Sequence, residues 1–357
     1  MKLNHSFWRS KRVLVTGHTG FKGSWLTAWL LEMGAEVHGI SLPPITQPNA
    51  FEAMKLQSEC HHHILDIRDR VHLDSLVNEI DPEVVFHMAA QPLVRESYEN
   101  PLETYEVNVL GTGNLLYSLR NGKSVRSIVI VTTDKCYENK EWCWPYRETD
   151  PLGGYDPYSS SKACAEIITS SFRKSFFSER TEVGIATARA GNVIGGGDWS
   201  KDRLLPDAVR AHQEGRSLKV RYPTAIRPWQ HVLVPLSGYI LLAEKLWDAP
   251  TQWSEAFNFA PNEEDCISVG TLLNKFGMAW GNSLEWMSLS TNEPHEAHFL
   301  KLDSSKAKQK LGWYPVWTLT EALKNTADWY RAYYESSCEL RELTKHQIKS
   351  FQMDGDK

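Results

Sequence analysis

The sequence is short of the features that mark several whole classes of protein. Its six cysteines, Cys60, Cys136, Cys143, Cys164, Cys266 and Cys338, include no C-x-x-C pair and follow no regular spacing. That excludes a disulfide framework and points to free thiols in a reducing compartment. No apolar run approaches the roughly 18–20 residues that a membrane-crossing helix needs. The opening stretch, MKLNHSFWRSKRVLVTG, has no apolar segment ahead of its first strand-like run, so a cytoplasmic rather than a secreted protein is expected. The net charge is only −5 and the basic residues are scattered, which leaves no footprint for nucleic acid. There is no internal repeat and no low-complexity linker. Cys60–His63 (CHHH) concentrates metal-ligand residue types, but adjacent residues point in different directions and no second cluster stands out. No metal is expected.

What is present is an ordinary globular balance, 41% hydrophobic and 23% charged residues over 357 positions, long enough for two domains. Short β-branched runs at 12–16, 36–41, 62–67, 84–90, 127–133 and 184–195, the last running into a glycine loop, alternate with longer segments of helical periodicity at 23–33, 69–80, 102–120 and 157–178. Alternation at this spacing predicts an α/β fold, a Rossmann-type doubly wound parallel sheet with right-handed crossovers. After about residue 190 the rhythm changes and turn residues and aromatics become denser. We expect a dinucleotide-binding domain over 1–190, joined by about 228–262. A smaller mixed C-terminal domain over 191–227 and 263–335 would bind substrate, and 336–357 would be a frayed helix or tail.

TGHTGFKG places Gly17, Gly20 and Gly23 between the first strand and the first helix, with Phe21 inside the turn. Glycines there allow a tight turn, close approach of backbone to a pyrophosphate, and helix-to-sheet packing, with the phosphates on the helix N-terminus. An acid commonly ends the second strand and holds the adenosine ribose. Here that strand ends HGIS, so Ser41 takes the position. A hydroxyl can bond the ribose, and no arginine beside it offers charge for a 2′-phosphate. NAD is therefore favoured over NADP.

GGYDPYSSSKACAE, residues 153–166, begins a helix with Asp156 as N-cap and Pro157 in the first position. Tyr158 and Lys162 then share one face, four residues apart. A phenol has a pKa of about 10, too high for a base at neutral pH. A neighbouring ammonium, an oxidised nicotinamide and the helix N-terminus are all expected to lower it.

The G-x-x-G-x-x-G turn and the Tyr-x-x-x-Lys pair resemble the short-chain dehydrogenase/reductase superfamily, in particular its extended branch acting on nucleotide sugars. The resemblance implies that Asp66 and Ile67 meet the adenine and that Ala89 and Ala90 line the cofactor groove. Tyr158 would take a proton from a sugar hydroxyl while Lys162 grips the nicotinamide ribose, and Thr133 matches the position that hydrogen-bonds the reacting hydroxyl. Within this branch, TGHTGFKG, TTDKCYEN, YSSSK and RPWQHV together resemble the 4,6-dehydratases that act on CDP-glucose, over about residues 6–330.

Such enzymes oxidise carbon 4 to a ketone, which acidifies the proton on carbon 5. A base removes that proton while an acid protonates the hydroxyl leaving carbon 6, and the hydride returns to carbon 6. Asp134 matches the acid. Where related dehydratases have glutamate as base, this chain has Lys135, which either removes the carbon 5 proton while neutral or stays charged and stabilises the enolate. The resemblance further implies substrate contacts from Gln91, Asn192 and Arg203, a diphosphate bond from Arg227, and a route to dideoxy sugars of surface polysaccharides. It also implies a homodimer formed through helices flanking the Tyr-x-x-x-Lys segment. Rival readings are an epimerase or reductase of the same branch, disfavoured by Asp134 and Lys135. A non-catalytic scaffold is also a rival, though it would be expected to have lost Thr133, Tyr158 or Lys162.

Overall fold

A computed structural model describes residues 2–281, 283–289 and 299–357. Its centre is one parallel sheet of β1 (Arg12–Thr16), β2 (Glu36–Ser41), β3 (His61–Ile64), β4 (Val84–His87), β5 (Ser127–Val131), β6 (Gly184–Ala190) and an edge strand, Ala256–Phe259. Hydrogen-bonded neighbours run in the order Ala256–Phe259, β6, β5, β4, β1, β2, β3. The chain winds outward from β1 to β3, then returns to pair β4 with β1 and winds the other way. In such a sheet the ligand crevice lies outside the carboxyl ends of the strands, where the winding reverses.

Side chains alternate between the faces of the sheet. Val13, Val15, Phe86 and Val129 pack on one side with Trp25 and Trp29 of the helix Phe21–Glu32 and with the helix Leu233–Asp248. Leu14, Val85, Ile128 and Ile130 pack on the other with Leu73 and Val77 of the helix Arg70–Ile80 and Leu115 and Leu119 of Gly111–Leu119. Both faces are covered, which is why the strands read as near-continuous apolar runs.

Three strands are shorter than their apolar runs suggest, β5 ending at Val131. β3 stops at Ile64 and β4 at His87, because the residues beyond them leave the ladder to line the cleft at the carboxyl edge. The single helix expected over 102–120 is instead a short helix, Pro101–Tyr105, a π-helical turn, Glu106–Leu110, and the helix Gly111–Leu119. The wider turn carries Asn108, whose amide donates to Ser161 Oγ at 2.8 Å and to the Gln91 carbonyl at 3.1 Å. Single π turns of this kind occur often at functional sites.

Beyond β6 the described residues build three two-stranded ribbons. Val193–Ile194 pairs with Gln230–His231, Ile226–Pro228 with Cys266–Ser268, and Leu218–Val220 with Trp286–Ser288. The helices Leu204–Gln213 and Val269–Trp280 flank them. No described helix is long and apolar enough to cross a membrane.

The last residues are not a tail. They form the helix Leu340–Gly355, whose Leu340, Thr344, Ile348 and Phe351 are buried at helical spacing. The Phe351 ring lies 5.6 Å from Trp29, Trp329 donates to Thr344 at 2.9 Å, and Arg341 bonds both Glu32 and Glu59. A polar composition hid a narrow apolar stripe whose partner is the helix Phe21–Glu32, some three hundred residues away. Deleting residues 338–357 should cost on the order of 4 kcal/mol, from exposing two or three large apolar side chains and their tryptophan partners. A thermal melt with an unchanged midpoint would contradict the packing role.

Candidate active site

At the carboxyl ends of the strands lies a cleft of about 540 Å³, and the loops after β1 to β6 all contribute to its wall. The turn after β1 opens it. Gly17 adopts φ +74°, and a Cβ there would stand 2.7 Å from the Ala89 backbone nitrogen. At Gly23 a Cβ would meet the Gly17 carbonyl at 2.1 Å, so the helix start lies directly on the turn. Gly20 is the N-cap of the helix Phe21–Glu32 and supplies no side-chain hydrogen bond to its first amides. Those N–H groups face the cleft without a capping side chain, the arrangement that receives a phosphate.

The rest of the groove is equally suited to a dinucleotide. Ser41 and Thr19 share a hydroxyl–hydroxyl bond of 2.8 Å at the end of β2. Asp66 and Ile67 line the wall beyond β3, with the Asp66 carboxylate paired to Arg68 at 2.6 Å. Burial pulls that carboxyl up, but the bonds from Arg68 outweigh it and hold it below its usual range. Ala89 and Ala90 line the groove after β4, and Ala89 N donates to Thr16 Oγ1 at 3.1 Å.

The catalytic candidates converge on the same cleft. Asp156 caps the helix Pro157–Ser175 by accepting from Ser159 N at 2.9 Å, and Tyr158 and Lys162 follow on its inward face, both buried. Thr133 and Asp134 leave the end of β5 opposite them. The Thr133 hydroxyl donates to Asp134 Oδ1 at 3.0 Å, while Asp134 Oδ2 is buried with no hydrogen-bond partner among the described residues. Lys135 is half-buried at the cleft wall.

Electrostatics departs from the expectation for Tyr158. Burial pushes its phenol up to about 12, and the Thr133 hydroxyl and Arg203 only partly offset this. Lys162 does not supply the expected depression. Its own ammonium is brought down to about 8 by burial, and it donates to the Val131 carbonyl at 3.4 Å. The protein's own groups therefore keep Tyr158 protonated at neutral pH. Burial also raises the Asp134 carboxyl, against the opposing pull of Lys135, Thr133 and Arg227, which suits it to hold a proton.

Asn192, Arg203 and Arg227 line the cleft from the C-terminal side. Arg203 reaches Asp198 at 3.4 Å, and buried Arg227 donates to the Ile226 carbonyl at 2.9 Å. Gln91, expected near the sugar, does not face the cleft. Its side chain turns into the wall, donating to the Leu93 carbonyl (3.1 Å) and Thr104 (2.9 Å) and accepting from Leu93 N (2.6 Å). Its polar atoms serve the loop after β4, and it does not line the cleft. The CHHH stretch also gains neighbours that the linear sequence did not show. Strand pairing sets His61 beside His38, and their ring nitrogens and the Glu36 carboxylate lie within 4.8 Å of one another, outside the cleft lining.

A family model described as GDP-mannose 4,6 dehydratase matches residues 14–326. A CDP-glucose 4,6-dehydratase of Salmonella typhimurium is 50% identical over 352 residues, covering 96% of this chain and 98% of the relative. The chain belongs to the nucleotide-sugar 4,6-dehydratase family. Solved structures agree on the fold. A UDP-glucose 4-epimerase from Thermotoga maritima superposes with a TM-score of 0.78 at 22% identity, covering 90% of this chain and 99% of that one. A dTDP-glucose 4,6-dehydratase from Bacillus anthracis, solved with NAD, gives 0.74 at 22% identity, covering 91% and 98%.

Two features of this family member's site escaped the sequence reading. Glu166 sits one helical turn beyond Lys162 and forms a buried ion pair with Arg189 of β6, whose Nε and Nη2 donate at 2.9 and 2.8 Å. Thr132 and Thr187 donate to the same carboxylate. Burial raises that carboxyl, but these donors together bring it below its usual value. The second feature is Lys22, inside the glycine turn. The helical spacing 158, 162, 166 was the available signal for Glu166; its partner at 189 is visible only once β6 pairs with β5.

A group with a lowered pKa contributes stability above its unfolded pKa and loses it as pH falls through the folded one. Arg189→Met leaves Glu166 buried without its partner and should cost roughly 3 kcal/mol in urea unfolding at pH 7. The difference from the unaltered protein should shrink as acid protonates Glu166. A loss under about 1 kcal/mol would contradict the assigned role, since breaking a buried pair normally exceeds that.

Proposed function

We propose that this protein is a cytoplasmic NAD-dependent dehydratase that converts CDP-glucose to CDP-4-dehydro-6-deoxyglucose. The observation that carries the reading is the Thr133–Asp134–Lys135 segment. It stands across the cleft from Tyr158 and Lys162 in a chain half identical, over nearly its whole length, to a CDP-glucose 4,6-dehydratase. Cytoplasmic placement is supported by six cysteines that are all free.

NAD, when bound along Gly17, Gly20, Phe21, Gly23, Ser41, Asp66, Ile67, Ala89 and Ala90, supplies a hydride acceptor for carbon 4 and a donor for carbon 6. Tyr158 takes the proton of the carbon 4 hydroxyl, which Thr133 holds by a hydrogen bond. Lys162 fixes the ribose, and the oxidised nicotinamide, when bound, would add the positive charge that favours the phenolate. The new ketone acidifies carbon 5, and Lys135 removes that proton. Asp134 gives its proton to the carbon 6 hydroxyl, which departs as water. When hydride arrives at carbon 6, Lys135 returns a proton to carbon 5, and the sugar has lost one water with no net change in oxidation state. Arg227 holds the substrate diphosphate, with Asn192 and Arg203 beside it, in a substrate domain formed by 191–227 and 263–335.

The assembly we propose is a homodimer through the helix Pro157–Ser175 and its neighbour after β4. Leu102, Leu110 and Ile167 are large apolar side chains left exposed on these segments. Light scattering should give twice the chain mass, and a monomer at micromolar concentration would remove this part of the proposal.

Incubation with NAD and a panel of nucleotide hexoses tests the function. CDP-glucose should lose the mass of one water, whereas unchanged mass with inverted stereochemistry would indicate an epimerase, and no turnover of any sugar would revive a binding role. Asp134→Asn should still oxidise carbon 4, seen as absorbance of the reduced cofactor, yet release water at least about a hundredfold more slowly. Tyr158→Phe should block oxidation itself. Lys135→Met should abolish solvent deuterium exchange at carbon 5, and normal exchange would remove Lys135 as the base.

A further inference from the structure

Lys22 is a cation that the reaction as described does not use. It occupies the second position of the helix Phe21–Glu32, between Gly20 and Gly23, and lines the cleft. Its amine is 3.5 Å from the hydroxyl of Tyr239 and 5.6 Å from that ring's centroid. Tyr239 belongs to the helix Leu233–Asp248 and is fully buried, so the amine ends against an interior wall rather than in solvent. Three other elements bring charge to it: Arg203 from the loop before Leu204–Gln213, Lys162 from the catalytic helix, and Asp134 from the end of β5. Burial, and after it Tyr158 and Asp134, raise the pKa of the Tyr239 phenol.

This position has a geometric consequence, given the reading of the groove as a dinucleotide site. A dinucleotide whose diphosphate rests on the glycine turn and whose far ribose meets Lys162 must pass Lys22 between them. We propose that Lys22 is a specificity-determining residue of the dinucleotide site: its amine makes the protein hold the neutral, reduced nicotinamide in preference to the cationic, oxidised one. An ammonium set against a cationic ring, at the effective dielectric of a protein interior, changes affinity by roughly tenfold or more. Hydride transfer from carbon 4 removes the ring's charge and with it the repulsion. The reduced form is then retained until carbon 6 takes the hydride back, where an escaping cofactor would strand the ketone.

The preference should depend on pH. Burial first, then Arg203 and Lys162, bring Lys22 down to about 7, with Asp134 opposing them. Below that pH the amine is charged and opposes the oxidised ring; above it the opposition fades. Lys162 also titrates near 8, so comparison of variants at one pH isolates Lys22.

The test is to measure Kd for NAD⁺ and for NADH separately, by tryptophan fluorescence and calorimetry, at pH 6.5 and 8.5. The unaltered protein, Lys22→Met and Lys22→Arg would be compared. Lys22→Met should tighten NAD⁺ about tenfold at pH 6.5 and weaken NADH, with much smaller effects at pH 8.5. Lys22→Arg, charged at both pH values, should keep the preference for NADH at pH 8.5. Equal weakening of both forms by Lys22→Met would overturn the proposal and assign the amine to the diphosphate, and no change in either would reduce it to a packing partner of Tyr239. Failure of either form to bind the unaltered protein would overturn the dinucleotide reading, and this inference with it.

Discussion

The buried pair between Glu166 and Arg189 fixes the site on which everything else depends. The helix Pro157–Ser175 carries Tyr158, Lys162 and Glu166 on successive turns of one face, while β6 carries Arg189 on the neighbouring strand. Two guanidinium bonds to one carboxylate, with Thr132 and Thr187 filling its remaining positions, leave the helix one register against the sheet. Arg189 also donates to the Tyr137 hydroxyl at 2.7 Å, and Tyr137 to Asn258 at 2.8 Å, so the same pair ties the loop after Thr133 to the edge strand. A slip of one residue would turn Tyr158 away from Thr133. The pair works for geometry more than for stability, since a buried ion pair carries a large desolvation cost.

The cleft built on this frame is rich in enclosed charge. Lys22, Lys162, Arg203 and Arg227 face a carboxyl, Asp134, that burial holds toward its protonated form. Excess positive charge suits a substrate and cofactor that each bring a diphosphate. It also sets the protonation states. A phenol near 12 takes up its role as base only when further positive charge lies beside it, and a carboxyl with a raised pKa keeps its proton until a hydroxyl needs it. Asp134 thus starts in the protonation state proposed for it, whereas Tyr158 must first lose its proton, which added positive charge beside it would favour.

Local sequence carried a large part of this. TGHTGFKG revealed the turn because glycine is demanded there by sterics, and YSSSK revealed the Tyr–Lys face because helical spacing is a local property. The doubly wound parallel sheet followed from alternation, and the run of apolar residues into Thr133 showed where β5 empties into the cleft. What was hidden depended on distant partners. Gln91 looked like a site residue from its place after β4, yet its amide is consumed by Leu93 and Thr104. The pKa of Tyr158 rests on enclosure by the whole cleft, which no four-residue motif contains. The helix Leu340–Gly355 is polar enough to read as a tail, and its narrow apolar face makes sense only against Trp29. His61 and His38 meet through strand register alone.

On the proposed reading, the hydride that leaves carbon 4 is the one that returns to carbon 6 within the same cleft. This return is tested most directly by turnover of CDP-glucose carrying deuterium at carbon 4, in the presence of excess unlabelled NADH. The account predicts that the deuterium appears at carbon 6 of the same sugar molecule, undiluted. Product carrying protium at carbon 6, or deuterium appearing in the free cofactor, would contradict it.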